Sequence, residues 1–204
     1  MGVGVRPTRP NSAVHAVIFE VRPKDGRLDE YFGHARLLRP ELEAIDGFVE
    51  NIRYRSLTRP GFLLSVSLWR DEAALIRWRT HALHHRAQAE ARRELFADYR
   101  LRVGVLADDG ASVSLLTARR EGAADMTPEG LARDLGLDPA LPGLLGWDVF
   151  EAVLTPGDFL LLRSGAGAGA GGDAAQRRIR VIRDYGMTDR REAPQHFPDE
   201  TGRA

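Results

Sequence analysis

The chain has no cysteine among its 204 residues. That excludes disulfides, thiolate metal sites and a cysteine nucleophile, and it leaves the redox compartment open. Lysine is almost missing as well: Lys24 is alone, and every other basic side chain is arginine. Such a skew reflects G+C-rich coding rather than a binding surface. Excess charge of either sign is lacking, because 29 Lys and Arg balance 29 Asp and Glu. A general electrostatic grip on nucleic acid is therefore not expected. No apolar run is long enough to cross a bilayer, so no membrane span is expected. "MGVGVRPTRPNSA" lacks the apolar core of a signal peptide and reads as a disordered arm, residues 1–13, before a cytoplasmic domain. GxGxxG, P-loop, HExxH and a Ser-His-Asp order are all absent, which leaves nucleotide-dependent and hydrolytic chemistry without support. What the chain does have is apolar content, 43%, enough for a substantial core.

The apolar residues fall into alternating strand and helix patterns. "HAVIFEVRP" (15–23) is a β-rich run ended by proline. From Gly26 to Ile45, Leu28, Tyr31, Phe32, Ala35, Leu38 and Leu42 follow helical spacing. "GFVENIRYRSL" (47–57) alternates like a strand, and "PGFLLSVSLWR" (60–70) is another behind a Pro-Gly turn. Asp71 is placed to N-cap the next helix, with Glu72 in its first turn and a break near Thr80. "YRLRVGVLA" (99–107) closes the unit. The order is β-α-β-β-α-β, the ferredoxin-like arrangement.

The second half repeats the first in worn form. "RSLTRPGFLLSVS" is echoed by "EAVLTPGDFLLLRS" (151–164), and "IDGFVENIRY" by "LPGLLGWDVF" (141–150). A strand (111–120) and a short helix opened by Thr127-Pro128-Glu129 precede these, and "RRIRVIRDYG" (177–186) supplies the last strand. Where the first half has its second helix, the second has "GAGAGAGG", too rich in glycine to hold one. The expectation is an α+β chain of two ferredoxin-like halves, their sheets facing across a pseudo-twofold. Residues 14–108 form the complete half and 109–187 the degenerate half, with a Gly/Ala loop at 165–173 and an extended tail at 188–204.

"RPELEAIDGFVENIRYRSLTRPGFLLSVSLWRDEAALIRWR…HHRAQ…FADYRLRV" resembles the antibiotic biosynthesis monooxygenase superfamily of dimeric α+β barrels. The "IDGF", "SL…PG", "SLWRDE" and "W…HR" elements match in order and spacing over about residues 14–106, and "RVIRDYGMTDRREAP" (180–194) resembles the ending of a tandem subgroup. The resemblance implies a monooxygenase that needs no metal or flavin. An electron-rich phenol or anthrone loses a proton in the pocket, and its anion reduces dioxygen. Trp69 matches a tryptophan at the end of the third strand whose indole N–H can donate to that anion. Ser65 stands where some members carry asparagine, and a hydroxyl reaches less far than an amide.

On these grounds the candidate catalytic residues are Trp69, His85, Arg86 and Ser65, with Tyr54, Trp78 and Phe48 as substrate contacts. Tyr54 and Arg53 alternate on the second strand, so only one of them can face a pocket. Trp78 continues the apolar stripe through Leu75 and Ala82 and also reads as core. The alternative cofactor is haem, with His85 as axial ligand. Against it, the ligand position of haem-degrading relatives falls near Gln88, and the first strand offers no asparagine. His81 and His85 lie four apart, a spacing that could hold a metal, but no carboxylate completes a set, so none is expected. A third reading is a non-catalytic small-molecule-binding barrel. The partners expected are a small aromatic substrate, dioxygen and a second copy of the chain.

Overall fold

The strand β1 (His15–Pro23) shows how the architecture arises. Its even positions, Ala16, Ile18 and Glu20, turn one way, and its odd positions, Val17, Phe19 and Val21, turn the other. The first set fills a barrel, and the second lies under helices. The computed structural model describes residues 13–165 and 173–194. The expected arm, most of the Gly/Ala loop and the end of the tail (1–12, 166–172 and 195–204) lie outside the described residues.

After β1 come α1 (Leu28–Glu43), β2 (Phe48–Ser56), β3 (Leu63–Trp69), α2 (Glu72–Thr80) and α3 (Ala82–Glu90). A π-helical turn (Ala91–Leu95) then leads into β4 (Phe96–Leu106). The second half runs β5 (Val113–Arg119), α4 (Pro128–Asp134), β6 (Leu144–Ala152), β7 (Asp158–Gly165) and β8 (Ala175–Gly186). Among the described residues eight strands close into one antiparallel barrel in the order β1-β3-β2-β6-β7-β5-β8-β4. Each half has the same internal order, β4-β1-β3-β2 and β8-β5-β7-β6. They join like to like, β2 on β6 and β4 on β8. The echoed Pro-Gly sequences make the equivalent turns β2–β3 and β6–β7, where Gly61 and Gly157 take φ of 78° and 90°. At the β4–β8 seam a bulge brings the backbones so close that a Cβ on Gly104 would meet the Arg180 carbonyl oxygen at 2.6 Å.

The barrel interior is packed by Ile18, Leu64, Val66, Leu115, Phe150 and Leu160. It also holds charges that the sequence reading passed over. Buried Glu20 accepts from Arg102 and from Arg59, each at 2.5 Å, and Arg59 reaches Asp148 at 2.7 Å. Ser56 and Thr58 also donate to Asp148. Two anions and two cations thus neutralise one another inside the barrel, the condition under which buried charge is tolerated. Outside, over the second half, α4, capped by the Thr127 hydroxyl, lays Leu131 and the following Leu135 over Leu116, Val149 and Leu161. Over the first half, α1, α2 and α3 leave a cavity.

Candidate functional site

Register alone lays out the cavity floor. One row crosses five strands as Arg53, Ser65, Phe19, Leu101 and Tyr185, and the next as Asn51, Ser67, Val17, Val103 and Arg183. The floor is therefore polar at the β2–β3 side, apolar in the middle and polar again on β8. The roof is a helical stripe on α1 (Tyr31, Ala35, Leu38, Leu42) facing Leu75 and Trp78 of α2 and His84, Ala87 and Gln88 of α3. Arg190 and Pro194 of the tail complete the wall. The cavity holds about 300 Å³, at the lower end of the roughly 300–1,000 Å³ typical of small-molecule sites.

Three arrangements make the polar side chemically specific. Asn51 donates through Nδ2 to Ser65 Oγ at 2.8 Å and to the Val66 carbonyl at 3.3 Å. A carbonyl can only accept, so the amide orientation is fixed, and the buried Asn51 Oδ1 has no partner. Trp69 donates its indole N–H to Ser67 Oγ at 3.0 Å. Each serine hydroxyl thus accepts one N–H and keeps its own proton to donate. Finally, His84 stacks on Trp78 with ring centroids 4.0 Å apart and 14° between planes. Its Nδ1 lies 3.0 Å from the Trp78 carbonyl oxygen, which requires the proton there and leaves Nε2 a lone pair. Burial lowers the His84 pKa to about 4, against the hydrogen bond to Trp78 and with help from His81 and His85. The imidazole is neutral at physiological pH.

The sequence-predicted residues divide on this geometry. Ser65 and Trp78 line the cavity. Trp69, expected to present its N–H to a substrate, is instead fully buried behind Ser67. It packs on Phe48, Leu42 and Ala74, and Phe48 stays with it away from the cavity. Tyr54 points into the barrel, because alternation gives the helix-facing positions of β2 to Asn51 and Arg53; burial there raises its pKa to about 12. His85 and Arg86 do not line the cavity, and Arg86 is exposed. The cause is the break at His81, whose extended backbone (φ −61°, ψ 127°) restarts the helix at Ala82 and turns His84 and Gln88 to the cavity. Asn51, Ser67, His84, Tyr185 of β8 and Arg190 of the tail were not among the predicted site residues. Among the described residues no three His, Asp or Glu side chains come together as a metal site, and His81 lies 3.5 Å from Glu41 instead.

A family profile described as antibiotic biosynthesis monooxygenase matches residues 14–90. A protein of Pyricularia oryzae (strain 70-15) named jasmonate monooxygenase ABM is 45% identical over 212 residues, spanning 90% of this chain and 98% of that one. The chain belongs to the antibiotic biosynthesis monooxygenase family. Among solved structures, a conserved protein from Methanosarcina mazei Go1 is similar at 16% identity and a TM-score of 0.42, over 46% of this chain and 92% of its own. A candidate monooxygenase from Fusobacterium nucleatum is similar at 7% identity and a TM-score of 0.43, over 85% and 94%. Within the family the haem-degrading members raise the question of fit. Here His85, the expected axial ligand, is off the cavity wall, and the histidines that line the cavity are His34 and His84.

Proposed function

We propose that this monooxygenase is cofactor-independent and oxidises a small aromatic or polyketide-like molecule with dioxygen in the cavity under α1–α3. The observation that carries the reading is the pair of serine hydroxyls, Ser65 and Ser67. Asn51 and Trp69 hold them as donors at the polar side of the floor, next to the apolar Phe19 and Val17. Donors fixed in place stabilise an anion as it forms, without reorganising. His84 Nε2 is the proton acceptor. A histidine with a pKa near 4 is a weak base. The proton therefore moves only as far as the hydroxyls stabilise the anion left behind, and the two functions act together.

The electron balance sets what needs no helper. Converting a methylene to a carbonyl supplies all the electrons that dioxygen takes up: one oxygen atom enters the product, and the other leaves as water. Hydroxylating a saturated carbon leaves two electrons for an external donor to supply. Oxygen uptake is measured with an anthrone, and with jasmonate because the Pyricularia relative is named for it, each with and without NADPH. Uptake above the uncatalysed rate, without reductant and with one ¹⁸O atom entering the product from ¹⁸O₂, is the expected result. Uptake only with reductant, or a Soret band in the purified protein, overturns cofactor independence.

A further inference from the structure

Arg53 stands on the cavity floor with no opposite charge to hold. Its guanidinium sits beside the buried Tyr31 phenol, and its Nε is buried without a hydrogen-bond partner. No carboxylate among the described residues forms an ion pair with it; the nearby acid of its own strand, Glu50, is taken by Arg177 at 2.7 Å. An arginine stays protonated wherever it is placed, and a partly desolvated cation without a counter-charge is costly. The remaining cations on the wall are differently placed. Arg79 is half-buried on α2 and already engaged, Arg92 and Arg183 are exposed, and Arg190 donates to the Tyr99 hydroxyl. Among the described residues the single acid on the wall, Glu72, is exposed on α2. Next to Arg53 along its row come Ser65 and then the apolar Phe19 and Leu101.

We propose that Arg53 is the anchor for a carboxylate, so that the cavity selects an amphipathic monocarboxylic acid whose apolar body lies over Phe19 and Val17; this rests on the cavity being the substrate site. A guanidinium presents two parallel N–H groups that match one carboxylate, and a single cation suits a monoanion. The test uses 1-naphthaleneacetate and its neutral isostere 1-naphthaleneacetamide, titrated calorimetrically into the full chain. The acid is expected to bind about tenfold or more tighter than the amide, as a charge-assisted pair does. Arg53→Met should erase that gap while leaving amide binding in place. Arg53→Lys, which keeps the charge without the fork, should retain part of it and covers the case in which the Met variant fails to fold. Equal binding of acid and amide by the wild type, or a gap that survives Arg53→Met, overturns the anchor and leaves the cavity reading standing. Failure of both probes to bind overturns the cavity reading and the anchor together.

Discussion

Single side chains decide what the cavity can do, and His84 and Ser67 are the two most exposed to test. His84 has a folded pKa near 4, below the 6.5 of a free imidazole. The unfolded chain therefore takes up a proton first as pH falls. Stability contributed by keeping His84 neutral is full above about pH 6.5 and is lost between there and pH 4. Urea midpoints measured across that window should fall with pH in the wild type and fall less in His84→Gln. Ser67→Ala removes a donor and should lower kcat on the true substrate by roughly a hundredfold. Trp69→Phe acts one bond further away. It should cost roughly 1–3 kcal/mol of stability with a smaller loss of rate, compared by urea unfolding and kcat on the same preparations. The sequence could not place these roles well. A lone Asn51 in a strand looks like a solvated polar residue until its amide is seen to donate to Ser65, and Trp69 looks like a donor to substrate until Ser67 is seen to accept its N–H.

At the level of elements, most of the layout could be read from spacing. The stripe Tyr31, Ala35, Leu38 and Leu42 is the cavity face of α1, and the Pro-Gly echo marks both equivalent turns. What spacing could not settle was phase. Alternation on β2 allows Tyr54 or Arg53 toward the helices, and only the barrel decides. The α2–α3 region was readable up to its break at His81, after which a one-residue shift exchanges His85 for His84. Asp71 holds the start of α2, its carboxylate accepting from the Ala74 N–H at 2.7 Å. Asp71→Ala should destabilise the protein by about 1 kcal/mol, within the usual 0.5–2 for a lost cap, as read from thermal melts.

For the whole molecule, closure of the sheet is the governing fact. Nothing in the sequence marks the charged strand residues Glu20, Arg102 and Asp148 as buried, and only a closed barrel puts them inside. Removing one partner strands the rest. Glu20→Gln should therefore lower stability by roughly 3–5 kcal/mol in urea unfolding, far more than a surface charge change would. Closure also uses every strand edge within one chain, so a homodimer of the kind proposed from the sequence has to form through helices or loops. Light scattering at micromolar concentration distinguishes it from a 22.6 kDa monomer.

The seams β2–β6 and β4–β8 carry one more consequence, for anyone who would trim the gene. The family profile ends at residue 90, the last of α3 and short of β4, and even a cut at 108 would leave β2 and β4 as raw edges. Such a fragment would also lose Tyr185 and Arg183 from the cavity floor. Unpaired edges seek strands, and the nearest match for each is the same edge of another copy. Residues 14–108 expressed alone should run as a two-chain particle or precipitate, and its melting temperature, unlike that of the full chain, should climb with protein concentration. The stretch that carries the family's signature thus draws the partners for its outer strands from the other half of the same chain.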